Sequence, residues 1–338
     1  MGRGKKISRR GALTLAVGAA VAGSTVRAGQ GAAAPKPPQS PKDTQGKAGM
    51  PYGTIGDLKI SRLILGANTP GAHSRDLIYV SQLGRAYNTK ARMLDMYALA
   101  ESQGINTVLQ GGGLVGEYNR TRGGDLRTIP PVNVREHDTK ESIRRTLTAA
   151  MKNKLAAAWY IWGDCGDYLA MAKRMDVVGT AMEIAKELGM TLGLGAHSLQ
   201  VVTQCQAQGI VPHFYVKTFH HDRYWSATPR DKREPFCWYS KGGNSYSGKT
   251  GDHDRFHDNI WCLDAEKTIE VMKGVKAPWI AFKVLAAGAI SPTSGFKYAF
   301  HGGADFVAVG MCDFHVKQNV QILRSLFARG IKRERPWA

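Results

Sequence analysis

Residues 213–225, HFYVKTFHHDRYW, join a short run of strand-forming side chains to a dense group of ionisable and aromatic ones. Aromatic and β-branched residues favour a buried strand, whereas Lys217, His220 and His221 can move protons, bind a metal or hold an anion. In barrel enzymes, the catalytic side chains follow the carboxyl ends of the strands. The stretch therefore predicts a barrel strand that ends at an active-site rim.

Seven further apolar runs alternate with longer amphipathic segments, which is the pattern of parallel βαβ units. Together the eight runs cover residues 62–66, 105–110, 126–134, 156–162, 190–196, 213–219, 279–285 and 305–310. Helices are predicted at residues 91–102, 139–153, 177–188, 199–208, 265–273, 294–301 and 314–329. Eight parallel strands close a barrel, so the predicted fold class is α/β, a (β/α)8 TIM barrel formed as a single domain by residues 50–338. The third run is interrupted by Pro130 and Pro131, and proline suits only a strand end or a bulge.

Two of the predicted connections are long. Residues 111–126 are glycine-rich and polar, and residues 219–264 form an insertion after the sixth strand that contains GGNSYSGKTGD. Because the loops after barrel strands build the active site, the insertion is predicted to be a substrate-binding lid. The alternative for residues 241–252 is an exposed excursion without regular structure.

The amino-terminal segment shows the features of an export signal in the required order. Residues 1–28 combine basic side chains, the pair Arg9 and Arg10, a weakly apolar run at 13–26 and small residues at its end. This order predicts a twin-arginine signal peptide, read by the twin-arginine export machinery, and a periplasmic or secreted protein. The run is short, so no stable membrane span is expected after cleavage, with a loose anchor or a basic tail as alternatives. The proline-rich residues 29–49 are predicted to be a linker.

The chain of 338 residues carries a formal net charge of +19. Residues 1–34 hold six of the 46 basic residues and none of the 27 acids, which leaves +13 for residues 35–338. The sequence has no basic helix, zinc finger or aromatic-basic RNA motif, so no nucleic-acid partner is expected. An anionic small molecule, a polysaccharide or an envelope surface suits this charge better.

The five cysteines are too few and too scattered to form a disulfide framework. Whether Cys237 and Cys262 pair across the insertion is left open. A structural zinc site formed by Cys262, His253 and His257 is an alternative, although a surface loop is the preferred interpretation of these histidines.

Three segments resemble the aldo/keto reductases: GTIGDLKISRLILGAN at 53–68, LGLGAHSLQVV at 192–202 and VAVGMCDFHVKQNV at 307–320. They occur in the family's order and span most of residues 53–330. KTFHHDRYWSATP and FKVLAAGAI further resemble poorly characterised exported relatives of that fold. The resemblance implies a barrel preceded by a small hairpin, and NADP as the cofactor if the family's reduction is retained.

The family's Asp-Tyr-Lys-His tetrad is not matched. Its Asp ends the second strand, and its Lys and His end the third and fourth strands. In this sequence the second strand ends in Gln110, the third passes through residues 130–131 and the fourth ends before Asp164. Tyr118 could stand in for the tyrosine, but a phenol without those neighbours has no means of lowering its pKa. The family's phosphate-contacting motif is replaced by Met-Cys-Asp at residues 311–313.

Ionisable residues at the predicted ends of strands four to seven converge on one mouth of the barrel. These catalytic candidates are Asp164, His197, Lys217, His220 and Lys283. His197 and His220, with Asp164 or His221 as a third ligand, could hold a divalent metal. Asp167 is the rival of Asp164, which could equally cap a helix. The two lysines could form ion pairs, anchor a substrate anion or act as Schiff-base nucleophiles.

Further candidates for substrate binding are Gln110, His221, Asp222, Arg223, Tyr224 and Trp225. The last two could form a platform for a sugar ring or pack in the core of the insertion. The first functional hypothesis is an exported barrel enzyme that acts on a polar, carbohydrate-derived or anionic substrate through a His-centred, metal-assisted site. The second is an NADP-dependent aldo/keto reductase with a rearranged tetrad. The third is a non-catalytic barrel that binds glycans.

Overall fold

Eight parallel strands surround a common axis, as the sequence predicts. The computed structural model describes residues 47–66, 78–233 and 261–338. An antiparallel hairpin comes first, formed by β1 (Tyr52–Ile55) and β2 (Leu58–Ser61). The parallel sheet contains β3 (Leu63–Gly66), β4 (Thr107–Leu109), β5 (Arg127–Ile129), β6 (Pro131–Val132), β7 (Trp159–Ile161), β8 (Leu192–Ala196), β9 (Tyr215–Thr218), β10 (Trp279–Phe282) and β11 (Phe306–Val309). Its order is β5-β4-β3-β11-β10-β9-β8-β7-β6, which confirms the predicted barrel.

The segments β5 and β6 are two halves of one barrel strand. β5 pairs with β4 and β6 pairs with β7, and only Pro130 separates the two halves. Pro130 has no N–H to donate, but its carbonyl accepts a 3.2 Å hydrogen bond from the Tyr160 N–H. The nine paired segments therefore occupy eight positions around the ring, and the ring is joined at Pro130 by the chain itself.

Helices cover the outside of the sheet. They are α1 (Ile78–Tyr87), α2 (Lys90–Ser102), α3 (Gly113–Arg122), α4 (Lys140–Ala150), α5 (Gly163–Met171), α6 (Met175–Glu187), α7 (Leu199–Ala207), α8 (Ala265–Lys273), α9 (Pro292–His301) and α10 (Asp313–Ala328). The seven predicted helices are all present, with small shifts at their ends. Residues 111–126, predicted to be a glycine-rich loop, contain α3 instead. Its buried face is narrow, with Val115 and Tyr118 buried and Gly123 ending the helix in the left-handed region, so the apolar periodicity is faint.

The interior of the barrel is a packed core. Strand residues such as Ile64, Val216 and Ile280 pack there with Ile55 and Ile60 of the β1–β2 hairpin. Because the hairpin precedes β3, these contacts close the amino end of the barrel and leave the carboxyl end as its mouth.

The amino end also holds a buried charge cluster, formed by Asp305 before β11 and arginines of the carboxyl-terminal segment. Arg333 lies 2.9 Å and Arg335 lies 3.4 Å from the Asp305 carboxylate, and all three side chains are at most 5% exposed. Asp305 also accepts a 2.9 Å bond from the Trp279 N–H, and its carbonyl accepts one from Arg62. We refer to Asp305, Arg62, Arg333 and Arg335 as the basal cluster.

Several sequence predictions lie outside the described residues. These are the signal peptide at 1–28, most of the 29–49 linker, much of the 219–264 lid, Cys237, and the pair His253 and His257. Cys262 is described and carries a free thiol, whose sulfur lies 3.7 Å from the Thr268 hydroxyl. Among the helices of the described residues, none is long and apolar enough to cross a membrane.

Candidate functional site

The predicted catalytic residues converge at the carboxyl ends of neighbouring strands. Asp164 lies in the first turn of α5, directly after β7, and His197 follows β8. Lys217 lies on β9, and His220 lies two residues beyond the end of that strand. Lys283 follows β10. The charges of Lys217 and Lys283 both act on His197 and His220, so the four side chains share one electrostatic environment.

The best-organised pair in this region is Asp167 and His197. Both side chains are buried, and the ring Nδ1 of His197 lies 2.8 Å from Oδ2 of Asp167. The other carboxylate oxygen accepts bonds of 3.0 Å and 2.9 Å from the backbone N–H groups of His197 and Ser198. Asp167 therefore fixes both the turn after β8 and the orientation of the imidazole. Asp164, which was predicted to be a general base or a metal ligand, is half-buried, and the partner of His197 in these bonds is Asp167 instead.

Glycines allow α5 to lie directly against the end of β8. A Cβ atom on Gly163 would lie 2.9 Å from Cε1 of His197, and one on Gly195 would lie 2.5 Å from the Gly163 nitrogen. A Cβ atom on Gly166 would collide with the carbonyl oxygen of Gly195. Because these contacts have no room for a side chain, Asp167 can reach the backbone of the next strand's turn.

His197 is held as a neutral base. Burial, together with the positive charges of Lys283 and Lys217, lowers the pKa of its imidazole to about 4, although the hydrogen bond to Asp167 and the charge of that carboxylate oppose this. With Nδ1–H donating to the carboxylate, the lone pair of the neutral ring resides on Nε2. This is the arrangement of a histidine general base oriented by a carboxylate.

His220 is held by the backbone. Its Nδ1 lies 2.9 Å from the carbonyl oxygen of His221, and its Nε2 accepts N–H bonds of 3.2 Å from Trp261 and 3.1 Å from Cys262. Burial lowers its pKa to about 3, so the ring is neutral. Its role in this structure is to join the end of β9 to the chain that returns after the insertion.

These contacts do not fit the predicted metal site. Both ring nitrogens of His220 are used by backbone groups, Nδ1 of His197 is used by Asp167, and Asp164 is not part of that pair. Within the parts of the chain that the structure describes, no group of three or more His, Cys, Asp or Glu side chains is arranged to hold a metal ion. The predicted metal site of His197, His220 and Asp164 is therefore replaced by two separate arrangements. His197 pairs with Asp167, and His220 is bound by backbone groups.

Lys217 faces the helix layer rather than the barrel axis. Its register partners are Ala196 and Ala281, which belong to the core between sheet and helices, whereas its neighbour Val216 belongs to the barrel interior. The ammonium donates to the carbonyl and hydroxyl oxygens of Thr218, at 2.8 and 3.0 Å.

A cavity of about 300 Å³ opens on the helix side of the sheet, between the amino ends of α7 and α8. Its walls include His197, Lys217 and Arg233. The volume is at the lower end of that of small-molecule sites.

The backbone is strained at two predicted site residues. Gln110, at the end of β4, has φ of 69°, and Lys283, after β10, has φ of 58°, a region that side chains other than glycine rarely adopt. Gln110 donates a 3.2 Å bond to the hydroxyl of Tyr160, which lies in the barrel interior. The Lys283 ammonium lies 4.8 Å from the ring centre of Trp261. Both residues thus lie at the mouth in fixed conformations.

Asp222, predicted to bind substrate, forms a structural ion pair. Its Oδ2 lies 3.0 Å from Nη2 of Arg233 and 3.1 Å from Nε of Arg230. Arg233 also donates to the carbonyl oxygens of Thr228 and Leu263. The pair therefore fastens the chain after β9 to the chain that precedes α8.

The other predicted binding residues of this loop differ in exposure. His221 is buried, and its Nε2 lies 3.0 Å from the Ser294 hydroxyl while its Nδ1 accepts the Arg223 N–H. Tyr224 packs against the rings of His220 and His221, as the core-packing alternative predicts. Trp225 is 89% exposed.

Tyr118 lies away from the mouth. Its hydroxyl is 2.6 Å from Glu101, near the carboxyl end of α2, and α2 leads into the amino end of β4. Burial and this carboxylate raise its pKa, which is opposite to what an acid catalyst needs.

At the start of α10, where the family's phosphate motif would lie, Asp313 pairs with Tyr87 and Arg92. A carboxylate there repels a phosphate, so these residues do not fit the phosphate of NADP.

Sequence reasoning missed Tyr160 and Trp261 and ranked Asp167 below Asp164. A signal for Asp167 was present, because Gly163, Gly166, Asp167 and Ala170 recur at helical spacing and form the buried face of α5. An acid on the apolar face of a helix needs a buried partner. No local pattern marks Tyr160 or Trp261.

We expect the protein to lose stability in mild acid. His197 and His220 have pKa values of about 4 and about 3 in the fold, against about 6.5 in an unfolded chain. Below about pH 6.5 the unfolded chain binds more protons, so the free energy of unfolding falls by about 1.4 kcal/mol per pH unit for each histidine until the folded pKa is reached. Above about pH 7 neither histidine contributes to a pH dependence.

Urea denaturation at pH 7.5 and at pH 5 measures this loss. His220→Gln should flatten the pH dependence, whereas the control His213→Gln, at an exposed position before β9, should leave it unchanged. Equal stability at the two pH values would contradict the prediction.

Comparison with known proteins supports the fold. No family model and no curated protein matches the sequence. A solved structure from Pseudomonas aeruginosa, assigned as an aldo-keto reductase, aligns with a TM-score of 0.52 at 17% identity and covers 85% of this chain and 98% of that one. A second solved structure, from the same organism and with the same assignment, aligns with a TM-score of 0.50 at 15% identity. It too covers 85% of this chain and 98% of that one. At these identities the similarity confirms an aldo/keto-reductase-like barrel and concerns the fold alone.

Proposed function

We propose that this protein is an exported barrel enzyme that removes a proton from a polar, anionic, carbohydrate-derived substrate. His197 is the base, Asp167 orients it, and Lys217 and Lys283 attract the negative charge. The observation that carries the proposal is the buried Asp167–His197 pair beside two lysines at the carboxyl ends of β8, β9 and β10. Export is part of the proposal and rests on the sequence of residues 1–28.

The proton would move from the substrate to Nε2 of His197. Suitable protons are those on a carbon next to a carbonyl or carboxylate. Removing such a proton leaves negative charge on the substrate, and the ammonium groups stabilise it most where water is excluded. The neutral imidazole of His197 thus accepts the proton, and the ammonium groups of Lys217 and Lys283 stabilise the negative charge that remains on the substrate.

An anionic substrate would also make His197 a stronger base. Burial and, to a smaller extent, the two lysines lower the pKa of His197 in the free protein. A bound carboxylate or phosphate compensates their charge, so the pKa of His197 rises toward the value at which proton transfer is efficient. This coupling favours anionic substrates over neutral sugars.

Solvent deuterium exchange tests the proposal even while the product of the reaction is unidentified. The protein is incubated in D₂O with a panel of hexuronates, aldonates and sugar phosphates, and mass spectrometry follows deuterium incorporation at carbon. His197→Gln should lower the exchange rate by about 10²–10⁴-fold. The control His213→Gln lies at the amino end of β9 and should exchange as the wild type does. Unchanged exchange in His197→Gln would reject the proposal.

Nicotinamide-dependent reduction is the alternative that the fold favours. The location of Tyr118 and the carboxylate of Asp313 count against it. Titration with NADPH and NADH, followed by cofactor fluorescence, decides between the two. Saturable binding together with oxidation of the cofactor by a carbonyl substrate would replace proton abstraction as the proposed reaction. A barrel that only binds glycans would show neither exchange nor oxidation.

A further inference from the structure

Exposed aromatic side chains surround the mouth of the barrel. Trp162 follows β7, Trp225 lies in the loop after β9, and Phe314 lies in the first turn after β11. They are 38%, 89% and 62% exposed. Large aromatic groups exposed at one end of a protein mark a binding surface, because each costs free energy in water. We call Trp162, Trp225 and Phe314 the rim aromatics.

The strand order places the rim aromatics around the mouth rather than on one side. In the ring, β7 and β11 are separated by β8, β9 and β10, so they lie on opposite sides, with β9 midway between them. Trp162 directly follows β7 as the N-terminal cap residue of α5, so it lies at the carboxyl end of the strands. Phe314 is supported by an edge contact with Tyr87 at 5.7 Å.

The space between the rim aromatics is polar and positively charged. Gln110 and Lys283 lie half-buried at the carboxyl ends of β4 and β10, and the amide of Gln110 bonds to the buried hydroxyl of Tyr160. Arg223 is exposed beside Trp225. A ligand that spans the mouth therefore meets flat apolar faces at its ends and hydrogen-bonding or cationic groups along its length.

From this arrangement we propose that the mouth binds an extended anionic glycan, with sugar rings stacked on Trp162 and Trp225 and an acidic sugar at His197. The inference rests on the proposed function, whose site it extends from a monomer to a chain. Sugar rings match the surface because their C–H faces stack on aromatic rings while their hydroxyls and carboxylates bond to the polar groups between. A lipid or another apolar ligand would remove water from those polar groups without offering them hydrogen bonds.

Binding of chains and monomers tests the proposal. Calorimetry would compare hexameric oligomers of galacturonate, mannuronate, guluronate and sulfated disaccharide units with their monomers. We expect at least one hexamer to bind more tightly than its monomer. Trp162→Ala and Trp225→Ala should each weaken binding of that hexamer roughly tenfold and leave binding of the monomer unchanged. Val211→Ala is the matched control, since Val211 is 76% exposed but lies before β9, at the opposite end.

Three outcomes would overturn the inference. The first is that no hexamer binds more tightly than its monomer. The second is that the two tryptophan variants bind the hexamer as tightly as the wild type does. The third is that a single-stranded oligonucleotide binds more tightly than every glycan. Deuterium exchange measured on the wild type separates the inference from the proposed function, because binding of the hexamer does not depend on removal of a proton. Tryptophan-dependent hexamer binding without exchange in any substrate would retain the inference and reject the enzyme.

Discussion

Replacing Asp305 with asparagine is expected to lower the free energy of unfolding by about 3–5 kcal/mol. In the basal cluster, the carboxylate of Asp305 is fully buried and lies within 2.9 Å of Arg333 and 3.4 Å of Arg335. Burial already lowers the pKa of Arg333 to about 10, which shows how costly its charge is in this position. Asparagine keeps the shape but leaves the guanidinium groups buried without a countercharge.

Denaturation in guanidinium chloride, followed by tryptophan fluorescence, measures the change. Glu334→Gln is the matched control, because the pair of Glu334 with Lys273 is about half exposed at the surface and exposed pairs contribute at most about 1 kcal/mol. A loss below about 1 kcal/mol for Asp305→Asn would show that the buried charges are balanced by other groups.

Replacing Asp167 with asparagine is expected to reduce proton exchange by about 10³–10⁴-fold while the fold persists. One oxygen of Asp167 accepts the N–H groups of His197 and Ser198, and the other faces Nδ1 of His197. The single oxygen of asparagine must stay with the backbone donors, so its NH₂ group faces Nδ1. The imidazole then moves its proton to Nε2 and loses the lone pair that accepts the substrate proton.

A nitrogen-15 NMR spectrum of His197 distinguishes this tautomer change from general damage. The wild type should show protonated Nδ1, and Asp167→Asn should show protonated Nε2. Asp176→Asn serves as the control because Asp176 pairs with Arg174 at the surface, on α6. Full exchange activity in Asp167→Asn would mean that another group orients or replaces the base.

The barrel could be predicted because its strands are local, apolar and regularly spaced. Even the least regular strand, interrupted at Pro130 and Pro131, was placed correctly, because both halves carry buried side chains. The helix α3 was missed since its sequence is rich in glycine and arginine, and what stabilises it is packing against α2 rather than intrinsic propensity.

The site was predictable as a region and less so as a set of contacts. Topology brought His197, His220 and both lysines together, since the ends of parallel strands meet at one end of a barrel. The sequence does not show that backbone N–H groups occupy His220 or that Lys217 turns toward the helices. Those facts depend on the register of β9 and on the return of the chain at Trp261, which are long-range contacts.

The basal cluster and the Asp167–His197 pair lie at opposite ends of the barrel, and this separation has an evolutionary consequence. Changes to the loops above the strands can alter ligand preference without disturbing the groups that keep the cylinder assembled. Mutant libraries in which only those loops are varied should therefore contain mostly folded proteins. New ligand specificities can then be selected without first raising the stability of the starting protein.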